Sequence, residues 1–248
     1  MAVKRIGFDD VLAQLDAALA LCDDLGLGGH ARRSRFAGYR RTIVAAIDRV
    51  HAGVPAPDGL DAQQDAVAFI ESLLLGEVVP FLRTCPSDVV ASKLAVVLDG
   101  PTLPSAESAT SNRARNFMFE LSLGFRLWRA GLAPVLGDHP DLICVVNGTP
   151  VLVECKRPLS DEKVSKRIKE GRDQVLADLK RGAAGARRPG GRRALRKLRR
   201  RSLLALAVDD DVGLLVEESD EAGDLRSLGQ RCRQRPRQVL ERFAAGFD

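Results

Sequence analysis

Two apolar runs, LICVV (Leu142–Val146) and VLV (Val151–Val153), flank an Asn147-Gly148 pair. Asn-Gly suits a two-residue turn whose twist matches that of the strands it joins, so the segment reads as a β-hairpin. A turn at Asn147-Gly148 sets Val146 opposite Thr149. Continuing outward, Cys144 faces Val151, Ile143 faces Leu152 and Asp141 faces Glu154. Directly opposed residues have Cβ atoms about 4.5–5.5 Å apart, so this register sets two carboxylates side by side. Two bare carboxylates so placed repel, and one would have its pKa raised. A divalent cation removes the conflict, and hard oxygen donors suit Mg²⁺ or Mn²⁺. Lys156 follows Glu154 by two residues and projects from the same face. The competing reading makes Asp141 a turn or cap residue after Pro140, and Glu154 and Lys156 a solvated strand end. Against it, the continuous run Val151-Leu152-Val153 predicts burial on both faces. Acids at the end of a buried strand need a reason.

The rest of the chain frames this hairpin. Val11, Leu12, Leu15, Ala18, Leu19 and Cys22 recur at helical spacing, and Gly26 and Gly28-Gly29 end the run. Further helices are predicted over Arg33–Val50, Asp61–Leu82 and from Ser87, as N-cap, to Leu98. Arg32, Arg33, Arg35, Arg40 and Arg41 surround Phe36 and Tyr39, either as a solvated helix start or as nucleic-acid contacts. The stretch Asp99–Asn112 is rich in Pro, Ser and Thr and reads as a connection. The expected division is a helical region at 1–100, a linker at 101–112 and a second domain at 113–248. That domain starts with a helix over Arg113–Ala130, stopped by Gly131. A short strand at Leu132–Leu136 and the hairpin follow, then a helix over Ser160–Arg181 with the stripe Val164, Ile168, Gly171, Val175 and Leu179. Strands at Ser202–Val208 and Gly213–Glu217 and a helix at Pro236–Ala245 complete it. This order argues for a mixed sheet flanked by helices.

Charge is unevenly spread. Residues 1–110 carry ten basic and fourteen acidic side chains, a net of −4, whereas 111–248 carry 28 and 19, a net of +9. Most of the excess lies between Arg181 and Arg201, with ten basic residues and no acid: Arg181, Arg187, Arg188, Arg192, Arg193, Arg196, Lys197, Arg199, Arg200 and Arg201. Such a run is either a solvated loop broken by Gly and Pro or a phosphate-binding arm. Aromatic residues are 4%, which disfavours a base-stacking platform. No run of eighteen apolar residues occurs, so no spanning helix and no membrane partner are expected. Acids near the N-terminus speak against a signal peptide. The cysteines form no CxxC pair and are odd in number, at five. A reduced, cytoplasmic location is expected, without a zinc site. No Walker loop or GxSxG is present, and the histidines, His30, His51 and His139, form no cluster.

Pro140-Asp141 and Glu154-Cys155-Lys156 resemble the motif of the PD-(D/E)xK nucleases, the restriction-endonuclease-like superfamily. The resemblance covers about residues 113–208. It implies an α/β fold, with a mixed central sheet flanked by helices in the order helix, three strands, helix, strand, here preceded by an N-terminal all-α region. It implies a Mg²⁺- or Mn²⁺-dependent endonuclease acting on nucleic acid, DNA before RNA, in defence or repair. Asp141 and Glu154 would match the metal ligands and Lys156 the lysine that orients water or stabilises the phosphate. Many members add a glutamate from the first helix, for which Glu120 is the candidate. On a helical wheel Glu120 falls in the arc of Phe117, Leu121, Gly124, Leu127 and Trp128, where an acid is costly without a partner. The alternative is an arc-edge residue reaching water. Some members carry Gln and, four residues later, Tyr. Here Gln174 is followed by Asp178, which weakens that link and leaves Gln174 either at the site or solvated. Lys163, Lys166, Arg167 and Lys169, with the basic tract from Arg187 to Arg200, are candidate phosphate contacts or merely solvated charges. Relatives that cut two strands dimerise, so a homodimer is one expectation. Competing readings are an inactive nucleic-acid-binding module, or a protein whose helical region binds a partner while the basic tract is a tail.

Overall fold

A computed structural model of the protein describes residues 6–108, 112–137, 141–146 and 149–157. It also describes helical positions between 166 and 177, and the strand backbones 202–208, 211–219 and 225–227. The chain divides into two compact units, Met1–Phe125 and Arg126–Asp248.

The first unit is helical: α1 (Phe8–Asp24), α2 (Gly28–Ala31), α3 (Arg35–His51), α4 (Gly59–Leu82), α5 (Ser87–Leu98) and most of α6 (Arg113–Arg129). The apolar stripes read from the sequence form its core. Leu15, Phe36, Ile43, Leu75, Phe81, Leu94, Leu98 and Leu121 are all buried. α1 begins with Asp9 and Asp10, whose charges suit the positive end of a helix, and Asp10 accepts the Gly7 N–H at 3.1 Å. Two boundaries differ from expectation. Pro86 is the cap of α5, with Ser87 its first helical residue. α3 starts at Arg35 behind Ser34, and the Gly28-Gly29 pair expected to break the chain sits in the short α2.

The expected linker is bound to this unit. Arg115, near the start of α6, donates to the carbonyls of Pro101 and Thr102 at 3.2 and 3.1 Å and to Glu107 at 2.9 Å. Tyr39 donates to the same Thr102 carbonyl at 2.5 Å. These bonds give the Pro- and Ser-rich segment fixed partners. The division between the two compact units falls within α6, between Phe125 and Arg126.

The second unit holds a sheet with strands in chain order: β1 (Val135–Leu136), β2 (Leu142–Val146), β3 (Thr149–Lys156), β4 (Ser202–Val208), β5 (Asp211–Ser219) and β6 (Leu225–Ser227). β1, β2 and β3 are antiparallel neighbours, β3 and β4 are parallel, and β4, β5 and β6 are antiparallel. A parallel step needs a crossover connection, commonly a helix. Residues 166, 169–171, 173, 174 and 177, between β3 and β4, are helical. The order α6, β1, β2, β3, helical residues, β4 is thus a mixed α/β arrangement. β1 is shorter than expected. Ala133 has φ 41°, a left-handed bend that a strand starting at Leu132 cannot contain, and Pro134 supplies no ladder donor. Gly131 ends α6 as expected, at φ 81°, which costs glycine little. The short β6 has no counterpart in the expectation. The turn residues Asn147-Gly148 and the helix expected at Pro236–Ala245 lie outside the described residues, as does most of Ser160–Arg181. Among the described residues no helix is long and apolar enough to cross a membrane.

Candidate active site

The hairpin register is the expected one. Val146 pairs with Thr149, Cys144 with Val151, Ile143 with Leu152 and Leu142 with Val153. Val151, Leu152, Val153 and Glu154 are all buried, so both faces of β3 are covered as the continuous apolar run implied.

The ladder ends at Leu142–Val153, and Asp141 continues it by other means. Its carbonyl accepts the Gly137 N–H at 2.9 Å, and its carboxylate oxygen Oδ2 accepts the Cys155 N–H at 2.7 Å. The main chain after β1 and the neighbouring strand β3 thereby fix the acid. Glu154, one residue before Cys155, has a side chain with no exposure. Lys156 Nζ donates to Glu154 Oε1 at 2.5 Å and to Gln174 Oε1 at 2.9 Å. Two residues apart on one strand, Glu154 and Lys156 share a face, which is why the pair can form. Burying a carboxylate this completely is costly unless it is paired and hydrogen-bonded, and the ammonium supplies a charge partner at Oε1. The Lys156 side chain remains 18% exposed, so the cation opens toward solvent while the acid does not.

The structure thus brings Asp141, Glu154 and Lys156 to one end of the β2–β3 hairpin and adds Gln174. The sequence left Gln174 open between a site role and solvation. Its place on the helical segment after β3 brings its amide oxygen to Lys156. A hydrogen bond to a charged group contributes roughly 1.5–3 kcal/mol, so Gln174→Ala is expected to lower the activity proposed below about tenfold by freeing the ammonium. Steady-state rates at saturating substrate check this, and an unchanged rate would show that Gln174 positions nothing.

Glu120 is buried in α6, as its place in the apolar arc required. Lys93 Nζ of α5 donates to its Oε1 at 2.5 Å within the helical unit, and lies 5.0 Å from the Phe117 ring centroid. Lys93 was missed from the sequence, although the signal was available. It lies among Val90, Leu94 and Val97, inside an apolar stripe, as Glu120 lies inside its own. Lys166 is exposed, 3.9 Å from Glu170 one turn on, and Lys169 is exposed too. Lys163, Arg167, Arg187, Arg188, Arg192, Arg193, Arg196, Lys197, Arg199 and Arg200 lie outside the described residues.

The donor set of Asp141, just before β2, and Glu154, on β3, consists of carboxylate oxygens. Mg²⁺ is commonly held by one or two carboxylates and completes its shell with waters and substrate phosphate, so this chemistry fits the ion. Among the described residues no group of three or more His, Cys, Asp or Glu side chains is placed to hold a metal. Among the described residues, an ion here would rest on the two carboxylates, with waters and substrate phosphate completing its shell.

The chain matches no family model, no curated protein and no solved structure with which it was compared.

Proposed function

We propose that the protein is a metal-dependent nuclease that hydrolyses phosphodiester bonds, with DNA as the preferred substrate and a restriction-endonuclease-like arrangement around the site. One observation carries the reading. The β2–β3 register brings Asp141 beside β3, where Glu154, wholly buried, is paired with a partly exposed Lys156. A buried acid and a lysine at a strand end, beside a second acid, have the chemistry that phosphate transfer to water requires. The order of α6, three antiparallel strands, helical residues and a parallel strand supports the same reading.

Asp141 and Glu154 would hold Mg²⁺ or Mn²⁺. The ion, when bound, supplies a water of lowered pKa and neutralises phosphate charge. Asp141 is kept in place by the Cys155 N–H. Lys156 is tethered at Glu154 and Gln174 and retains a third N–H direction, which suits a phosphate oxygen on which negative charge grows. Glu120 pairs with Lys93 as Glu154 pairs with Lys156, and it stays a candidate third ligand. The basic residues from Arg187 to Arg200 would add affinity for any phosphate backbone without reading its sequence.

The protein is expected to cut at least one of plasmid, linear duplex, single-stranded DNA or RNA in Mg²⁺ or Mn²⁺, and to stop in EDTA. Absence of divalent-dependent cleavage across all four would replace the nuclease reading with that of a binding module.

A further inference from the structure

Side chains alternate along β1 and β2, and the alternation sorts them onto two unlike faces. Leu136, Leu142 and Cys144 share one face and are buried. Val135 and Val145 share the other and are 58% and 55% exposed. Ile143, half-buried, is the cross-strand partner of Val135 and stands two residues from Val145. The register thus joins the three into one strip of β-branched side chains. Single exposed apolar residues need no explanation, whereas adjoining ones mark a surface that something covers.

This strip lies on the sheet face that carries the candidate site. Ile143 pairs with Leu152, and Glu154 and Lys156 follow Leu152 at intervals of two along β3. The same alternation carried back from Ile143 reaches Asp141. Gly137 extends the edge strand beside it, donating its N–H to the Asp141 carbonyl at 2.9 Å. The edge position facing Asp141 therefore bears no side chain, and the outer side of the acid is left open by that strand.

The two halves of this face differ in chemistry. On β3 the charges of Glu154 and Lys156 adjoin, and the Lys156 side chain keeps 18% exposure. On β1 and β2 the strip offers neither charge nor hydrogen bond. A phosphate laid across it would lose water and gain no cation. The base and sugar of a nucleotide are uncharged, and apolar side chains do hold bases taken out of a stack. A duplex carries its phosphates outermost and its bases stacked within, so it meets a sheet face with its backbone. An unpaired strand can turn its bases onto the strip while its phosphate stays at Lys156. We infer that Val135, Ile143 and Val145 hold unpaired bases beside the phosphate at the site, so that the substrate is single-stranded nucleic acid or an unpaired segment within a duplex. The inference rests on the nuclease reading for the phosphate and on the sheet face for the bases. The contacts are made by methyl groups and not rings, in keeping with an aromatic content of 4%.

Binding of the full chain to fluorescein-labelled oligo-dT and to an abasic strand of the same length, both in EDTA, tests this apart from cleavage. The two strands carry the same phosphates and differ in their bases. The parent is expected to prefer oligo-dT by roughly tenfold, the order that covering a valine side chain gives. Val135→Ser/Val145→Ser, changed only at exposed positions, is expected to lose most of that preference while keeping its affinity for the abasic strand. A parental unfolding temperature shows that this variant is folded. In Mg²⁺ the parent is expected to cut single-stranded oligo-dT faster than the same strand paired with oligo-dA. Equal affinity of the parent for the two single strands, an undiminished preference in the folded variant, or a duplex cut as fast as the single strand would overturn the inference. So would a parent that sediments as a dimer beside a monomeric variant, since a second copy would then cover the strip. A parent that prefers oligo-dT and cuts nothing in Mg²⁺ would sink the nuclease reading alone and keep the strip as a base-binding surface.

Discussion

Lys156→Arg is expected to leave the protein folded and to slow metal-dependent cleavage by roughly two to three orders of magnitude, the usual cost of removing one preorganised donor from a developing anion. The two halves of this result separate two roles proposed for one side chain. As a counter-ion, Lys156 neutralises Glu154, whose carboxylate is wholly buried. Arginine keeps that charge. In the proposed role of donor to substrate, the ammonium is a compact point charge placed by two bonds, at 2.5 Å to Glu154 and 2.9 Å to Gln174. A planar guanidinium cannot reproduce that placement. Lys156→Met removes both roles. It is expected to lower stability as well, since breaking a buried pair from one side costs roughly 3–5 kcal/mol. Asp141→Ala should match the activity loss of Lys156→Arg, and it removes the acceptor of the Cys155 N–H. Thermal unfolding and cleavage rates measured on the same preparations decide the matter. A folded Lys156→Arg or Asp141→Ala protein that cleaves at the parental rate would remove both residues from the chemistry and reduce the hairpin end to a structural ion pair.

How much of this was legible in the residues depends on how local the determining physics is. The β2–β3 register followed from one dipeptide and two apolar runs, because a two-residue turn fixes every later pair. The continuous burial of β3 followed from Val151-Leu152-Val153 for a similar reason, since a strand covered on both faces has no polar alternation. The arginines around Phe36 show the limit. Arg35 read as one charge among five at a solvated helix start, yet its guanidinium is buried against Glu71 of α4. The two residues are far apart in sequence, and nothing in the spacing of either helix indicates that they meet. The same holds for Arg115, which reaches Glu71, Glu107 and the carbonyls of Pro101 and Thr102. A stretch of Pro, Ser and Thr looks like a linker when its partners lie elsewhere in the chain. Composition reports which residues can be solvated, whereas tertiary bonds decide which of them are.

Glu120 lies between these cases, and the second large effect concerns it. Its position inside an apolar arc announced that a partner was needed, but not whether that partner was a metal or a cation. The structure supplies Lys93, with both side chains at least 95% buried. Glu120→Leu is expected to destabilise the protein by roughly 3–5 kcal/mol, because it breaks a buried ion pair from one side. Lys93→Met/Glu120→Leu is expected to recover most of that loss, since a buried ion pair replaced by apolar groups of similar volume is often neutral or better. The double variant also separates packing from chemistry. If Glu120 serves only as the counter-ion of Lys93, the double variant regains stability and cleaves at the parental rate in Mg²⁺. If it also serves the metal, stability returns and cleavage does not. Denaturant unfolding of the two single variants and the double variant gives the coupling between the residues directly. A coupling near zero would mean that the 2.5 Å contact contributes nothing to the fold, and the reason for burying Glu120 would return to the metal.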